Sequence, residues 1–377
     1  MSSFNESVLS ERERQRYGRH LVMPEVSLEG QQRLKNARVL CVGAGGLGSP
    51  VALYLAAAGV GTLGLVDDDL VDLSNIQRQV LFDSKDVGQA KTAAARARLL
   101  ALNPDIEVQA HAQRLTAANV TALLADYDLV VDGSDNFPTR YLISDACVWA
   151  GKPHVYGSVY RFEGQVSVFH AGQGPCYRCL FPEPPLPGTV PSCAQAGVLG
   201  VLPGIIGSLQ GLEALKLLLG KGESLLGRLL LFDGLSMEFR TLKVEARPDC
   251  PVCGVAPSIH EPIDYAAFCG EQITADTVPA VSVQALRAEL LSGQPPTVID
   301  VREPAEWTVA RFPGAMEIPL GQLSKRLSEL DRETHWVLTC QQGPRAQRAL
   351  TLMQAEGFVS LRVLEGGLEA WLASDPR

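Results

Sequence analysis

The feature that most constrains this chain is a strand that runs into a glycine-rich turn and then a helix. Val39-Leu40-Cys41-Val42 is followed by Gly43-Ala44-Gly45-Gly46-Leu47-Gly48, and an apolar run continues to Gly59. The glycines permit a tight turn and a close backbone approach, and the start of the helix presents unpaired N–H groups to a phosphate. Asp67 closes the next apolar run, about 20 residues on, where a carboxylate accepts hydrogen bonds from ribose hydroxyls. The pattern demands a βαβ unit and defines a nucleotide site without saying which nucleotide, so a nicotinamide-dinucleotide site stays open.

β-rich runs at 39–42, 63–67 and 129–132 alternate with helical runs at 48–59 and 91–102. This alternation predicts an α/β fold with a mainly parallel sheet over residues 1–270, preceded by a charged helical run at 11–20. Residues 271–279 read as a linker. A helix at 281–291, strands at 297–301 and 336–340 and a helix at 345–357 predict a second, small α/β domain over 280–377. The 377 residues accommodate both, at roughly 100–200 residues per domain. With 46% hydrophobic and 20% charged residues the chain is not disordered, and a net charge of -9 offers no broad basic surface to nucleic acid. Residues 1–19 are polar with no apolar signal segment, so a cytoplasmic location and reduced thiols are expected. The apolar stretch 197–220 carries Gln210, Glu213 and Lys216, costly in lipid, and is expected to be a buried helix at an oligomer interface and not a membrane span.

Further polar groups cluster at successive strand ends. Ser74-Asn75-Ile76-Gln77-Arg78-Gln79 brings amide and guanidinium groups after the ribose carboxylate, and Lys91 opens the next helix. Asp132-Gly133-Ser134-Asp135-Asn136 supplies carboxylates at a sheet edge, where Mg²⁺ is readily held. Singly, each residue has a bland explanation as a solvated charge or a helix cap. Together they suit cleavage of the α–β bond of a triphosphate, in which negative charge builds on the leaving pyrophosphate; hydride transfer needs no such set of cations.

The segments GAGGLGS, DDDLVDLSNIQRQVLF, GQAK and DGSDNFPTR resemble the E1-like adenylating enzymes that activate ubiquitin-like sulfur carriers, over about 12–270. The resemblance implies ATP and Mg²⁺, with Gly46 and Asp67 contacting ATP together with Ser74, Asn75, Arg78, Lys91, Asp135 and Asn136. Gly43, Gly45, Gly48 and Gln79 complete the expected cradle, and Asp135 is expected to hold Mg²⁺. It also implies a homodimer in which Arg19, in the RYGRH helix, reaches the neighbour's ATP. The implied partner is a carrier ending in Gly-Gly, whose carboxylate becomes an acyl-AMP.

Nine cysteines make an odd total, which no full disulfide pairing explains. Cys176 with Cys179 and Cys250 with Cys253 form two CxxC pairs, the donor set of a closed structural Zn²⁺ site; redox CxxC chemistry is the competing reading. The adenylating-enzyme resemblance points to zinc. Cys193, in the proline-rich 181–196, is a candidate for a thioester or acyl-disulfide role that the sequence leaves undecided. Cys41, Cys147 and Cys269 read as packing thiols.

Cys340-Gln341-Gln342-Gly343-Pro344-Arg345 joins a strand to a helix, so converging N–H groups favour a thiolate or an anionic persulfide, and Arg345 adds a cation. With Val298-Ile299-Asp300-Val301-Arg302-Glu303 and Phe312-Pro313-Gly314-Ala315 before it, and Leu364-Glu365-Gly366-Gly367 and Trp371 after, this order resembles the rhodanese-type sulfurtransferase domain. That resemblance implies a persulfide on Cys340, with thiosulfate or a protein persulfide as sulfur donor. Gln341 stands where many rhodaneses carry a basic residue, which weakens the case for thiosulfate, and Arg311-Phe312 replaces the frequent His-Ile. The expected activity is ATP-dependent adenylylation of the carrier followed by sulfur transfer to give a thiocarboxylate. Three rivals are a nicotinamide-dependent oxidoreductase, a non-catalytic zinc-stapled scaffold for a ubiquitin-like partner, and an E1 that conjugates its carrier.

Overall fold

Runs rich in valine and leucine form the strands of the first sheet in the computed structural model, which describes residues 8–185, 197–270, 279–293 and 295–374. The chain divides into two compact units, Met1–Glu271 and Gln272–Arg377. In the first, β1 (Arg38–Val42), β2 (Thr62–Val66), β3 (Glu107–His111), β4 (Leu129–Asp132), β5 (His154–Tyr160), β6 (Glu163–Phe169), β7 (Arg228–Asp233) and β8 (Glu238–Lys243) form one sheet. Their order is β3-β2-β1-β4-β5-β6-β7-β8. Pairing is parallel from β3 to β5 and antiparallel from β5 to β8. β1 lies between β2 and β4, with Val39 beside both Leu63 and Leu129. The chain therefore reverses its winding direction at β1, and ligands of such sheets bind above the carboxyl ends of the strands at that point.

Helices on both sheet faces explain why β1 and β2 are almost entirely apolar and buried along their length. The expected strand–loop–helix unit is present: the helix Gly48–Ala58 follows β1 and stops at Gly59, which is left-handed (φ 82°). Gly48 serves packing, since a Cβ there would lie 1.9 Å from the Gly43 carbonyl oxygen. The apolar stretch anticipated as a buried helix is Val201–Leu219, a helix long and apolar enough to cross a membrane by length and composition. Here it packs on the helix Gly48–Ala58 and on β5 and β6, and Gln210 donates to the carbonyls of Asp132 (2.7 Å) and Val155 (3.3 Å). It is a core helix of the unit. The charged run 11–20 is two helices, Glu11–Arg16 and Gly18–Leu21, because Tyr17 between them is buried and hydrogen-bonded to Asn103.

In the second unit β9 (Ala280–Val281), β10 (Thr297–Asp300), β11 (Met316–Glu317), β12 (Trp336–Thr339) and β13 (Leu361–Leu364) form a parallel sheet ordered β11-β10-β12-β13-β9. The helix anticipated from 281 begins at Val283, because Val281 pairs with Leu364 in β9 and Ser282 caps the helix. Ile299, Leu338, Leu350, Met353 and Val363 form its main core.

Candidate functional site

A cleft of about 360 Å³ opens above the carboxyl ends of β1, β2, β4 and β5. Gly43, Gly45, Gly46, Asp67, Arg78, Gln79, Lys91, Asp135 and Asn136 all line it, so nine of the residues expected to bind ATP meet in one place. Asp67 accepts from the N–H groups of Ala44 (2.8 Å) and Asp69 (2.9 Å), which ties the end of β2 to the glycine loop. Burial pushes its carboxyl pKa up, and the Lys91 ammonium partly offsets this. Lys91 is itself buried, with Nζ 2.6 Å from Asp69 and 3.9 Å from Asp67. Arg78 crosses to the cleft from the turn Leu73–Asn75 and is held by the Ser74 carbonyl at 2.8 Å.

Three residues of the expected cradle, Ser74, Asn75 and Gly48, stand outside the cleft lining. Ser74 and Asn75 do not line the cleft; the Asn75 Oδ1 accepts from the Asp72 N–H, and the Ser74 carbonyl anchors Arg78, so both serve to place that guanidinium. Gly48 lies beneath the loop as a packing residue. Of the two carboxylates in the DGSDN segment, only Asp135 faces the opening: Asp132 is fully buried, with Oδ1 accepting from the Ser134 N–H at 2.8 Å, and cannot reach a solvated cation. Asn136 caps the helix Phe137–Ala150 by accepting from the Thr139 N–H. Arg19 is exposed on the short helix Gly18–Leu21 and does not line its own chain's cleft.

Two parts of the cleft wall were missed. Gln113, Arg114 and Leu115 follow β3, and the rule that places ligands at strand ends extends to them as well. Arg140 lies within the DGSDNFPTR segment but carried no expectation. It is buried against Phe137 and Tyr156 while still lining the cleft.

The four cysteines of the CxxC pairs converge, with Sγ–Sγ distances of 3.3 to 3.8 Å around the group. A tetrahedral site with Zn–S bonds near 2.3 Å spaces its sulfurs by about 3.8 Å, so the set fits zinc after slight expansion. All four thiols are unbridged. Arg178, between Cys176 and Cys179, is fully buried and makes a bidentate pair with Asp145 (2.8 Å each), which also accepts from the Tyr265 hydroxyl (2.9 Å). This network fastens the first knuckle to the helix Phe137–Ala150. Cys41, Cys147 and Cys269 are buried as expected, and burial pushes the Cys41 thiol up to about 12. Cys193 lies outside the described residues.

In the second unit, Cys340 ends the β12 segment in a loop before the helix Pro344–Ala355, its Sγ accepting from the Gly343 N–H at 3.1 Å. The start of the helix Gly367–Ala373 holds the loop from behind: the N–H groups of Leu368 and Glu369 donate to the carbonyls of Cys340 (2.8 Å) and Gln341 (3.1 Å). Gly367 is left-handed (φ 62°), and a Cβ there would stand 2.5 Å from the Cys340 oxygen. Arg345, expected to lend its charge to Cys340, forms a bidentate pair with Glu306 at 2.6 and 2.7 Å and remains close enough for its charge to act on Cys340. Burial opposes ionisation of Glu306, but hydrogen bonds from Arg345 and the Glu303 N–H outweigh it and hold the carboxyl below its ordinary range. Arg302 is likewise paired, with Asp300 at 2.7 Å.

A glycine-loop nucleotide cleft with a four-cysteine cluster, joined to a unit that cradles a lone cysteine, defines a nucleotide-dependent activating fold coupled to a sulfur-handling one. The chain belongs to the ThiF family, whose model matches residues 17–252, and the rhodanese-like domain model matches residues 282–374. It is 48% identical over 377 residues to the probable adenylyltransferase/sulfurtransferase MoeZ of Mycobacterium tuberculosis (strain ATCC 25618 / H37Rv), covering 97% of this chain and 94% of that protein. The adenylyltransferase and sulfurtransferase MOCS3 of Sus scrofa is 46% identical, covering 97% of this chain and 87% of its own length. A sulfur carrier protein adenylyltransferase of Thermus thermophilus is 57% identical over 260 residues, covering 68% of this chain and 96% of that one. Among solved structures, E. coli MccB with ATP superposes with a TM-score of 0.52 at 25% identity, covering 59% of this chain and 68% of that chain.

Proposed function

We propose that this protein activates the C-terminal carboxylate of a ubiquitin-like, Gly-Gly-ended sulfur carrier with ATP and then sulfurates it. The observation that carries this reading is the cleft in which Asp67, Arg78, Lys91 and Asp135 converge on the glycine loop, in a chain that also holds Cys340 in its cradle. Relatives named for both adenylyl and sulfur transfer support it over a nicotinamide-dependent or a non-catalytic reading.

ATP lies with its ribose at Asp67 and its phosphates over the loop 43–48. Mg²⁺, when bound with ATP at Asp135, neutralises part of the polyphosphate charge. A carrier carboxylate oxygen bonds to the α-phosphorus, the α–β bridging bond breaks, and pyrophosphate leaves with the electron pair. Arg78 and Lys91 offset the charge that builds there, joined by Arg19 of a second protomer. The exposed Tyr54 and Leu212, on the packed helices Gly48–Ala58 and Val201–Leu219, suit burial in such a homodimer. A Cys340 persulfide then attacks the acyl carbon and AMP leaves. A thiolate, for which Cys193 is the candidate, attacks the Cys340 sulfur, releases the carrier thiocarboxylate and leaves a disulfide for a cellular dithiol to reduce. A reducing, cytoplasmic setting suits this chemistry. The four-cysteine cluster is assigned to structural zinc.

The cradle favours a protein persulfide as donor. The loop residues Gln341 and Gln342 are neutral, and Arg302 and Arg345 are both spent on carboxylates. A doubly charged thiosulfate therefore meets no free guanidinium from either. Glu306→Gln is expected to release Arg345 and raise kcat/KM for thiosulfate by about tenfold, as unmasked charge does for anionic substrates; unchanged thiosulfate kinetics in a folded variant would count against this account.

The main test is carrier-dependent ATP–pyrophosphate exchange, followed by intact-mass analysis of the carrier after a sulfur donor is added. Exchange, and replacement of one carboxyl oxygen by sulfur, are expected. Asp135→Ala should lower exchange by about 10²–10³-fold. Exchange at wild-type rate in that variant would displace Asp135 from the metal, and no exchange with any Gly-Gly carrier would remove the reading.

A further inference from the structure

We infer that Arg140 is the docking group for the carrier's terminal carboxylate, the residue that holds the attacking oxygen before it meets the α-phosphate. The inference rests on the adenylylation reading above and assigns to Arg140 a substrate contact of that same site.

Arg140 lies in the first turns of the helix Phe137–Ala150 and is only 7% exposed. Its guanidinium carbon stands 5.5 Å from the Phe137 ring centroid and 5.7 Å from that of Tyr156, so aromatic rings fix and desolvate it. One nitrogen, Nη2, donates to the Ser134 carbonyl at 3.3 Å, whereas the buried Nε has no hydrogen-bond partner. Among the described residues it enters no ion pair, unlike Arg178, Arg302 and Arg345, each of which is bound to a carboxylate. A buried guanidinium with an idle N–H, attracted by Asp132 and Asp135 but in direct ion pair with neither, is costly unless an anion completes it. The cleft that Arg140 lines is the route by which an anion reaches it.

The topology distinguishes which anion. The glycine loop follows β1 and the ribose carboxylate follows β2, so the nucleotide lies on the β1–β2 side of the point where the sheet reverses. Arg78 and Lys91 belong to the segments after β2. Arg140 follows β4 and leans on Tyr156 of β5, on the other side of that point, where Val159 at the end of β5 supplies apolar wall. An extended Gly-Gly tail that enters along this wall brings its carboxylate to Arg140 and one of its oxygens toward the α-phosphate. Guanidinium and carboxylate match as a fork, which fixes direction as well as position.

The test compares wild type with Arg140→Met and Arg140→Lys, using a Gly-Gly carrier as the free acid and with its C-terminal carboxylate amidated. Carrier binding and KM, MgATP binding by calorimetry and thermal stability are read. For wild type the free acid should bind about 10–100-fold better than the amide. Arg140→Met should raise carrier KM by a similar factor and bind acid and amide alike, with MgATP affinity within about twofold of wild type, and Arg140→Lys should recover part of the preference. If a folded variant keeps the full preference, or loses MgATP affinity as much as carrier affinity, Arg140 does not hold the carboxylate. Should Arg140→Met fail to fold, Arg140→Lys decides by the same comparison. Wild type that supports no carrier-dependent exchange overturns the underlying reading; wild type that exchanges while the variants keep the preference overturns only the role of Arg140.

Discussion

Replacing Cys340 by alanine is expected to abolish thiocarboxylate formation, by at least about 10³-fold, while carrier-dependent ATP–pyrophosphate exchange continues at the wild-type rate. The two reactions use separate groups, because the described residues that line the nucleotide cleft all belong to the first unit, whereas Cys340 belongs to the second. The substitution is small. The loop keeps its hydrogen bonds from Leu368 and Glu369 and loses only the contact from the Gly343 N–H to the sulfur, so the second unit should stay folded. Acyl-AMP then accumulates with no persulfide to intercept it. Added sulfide should restore product by attacking the acyl carbon directly. Thiocarboxylate formed at the normal rate without added sulfide would show that another cysteine carries the sulfur.

The second large effect concerns the four-cysteine cluster. Purified protein should contain one zinc per chain, and Cys250→Ser should lose it. Because ligand thiols come together only in the folded chain, metal binding adds directly to stability. Loss of the metal should cost several kcal/mol and lower the Tm of the first unit by about 10 °C, at 2–4 °C per kcal/mol for a domain of this size. The damage should spread through Arg178, whose pairing with Asp145 and, through it, Tyr265 joins the first knuckle to the helix that begins at the cleft. Should the variant not fold, chelation of the wild-type protein with the Tm followed against zinc content gives the same reading. Sub-stoichiometric zinc in wild type, or a Tm independent of zinc, would remove the structural metal.

Much of the site is legible from local pattern. A βαβ unit with its glycine loop is a local construction, and Gly43, Gly45, Gly46 and Asp67 meet at the cleft because strand, turn and helix fix their spacing. The two CxxC pairs are 74 residues apart by their first members, 176 and 250, yet each is a recognisable half-site. The antiparallel run β6 to β8 was not anticipated. β8 is exposed along its whole length, so it lacks the alternating apolar pattern that marks a half-buried strand.

The sequence by itself determined the elements whose chemistry is short-range: the glycine loop, the cysteine knuckles, and a cysteine placed before a helix where N–H groups converge. Only the tertiary structure decided how the charges are spent. Arg345 and Glu306 lie 39 residues apart and neutralise each other at 2.6 Å, whereas Arg140, equally buried, makes no direct ion pair among the described residues and keeps an idle N–H. Whether a guanidinium is paired or idle depends on which distant segments fold against it, and its Coulomb energy follows that separation in space, a distance that spacing along the chain does not encode.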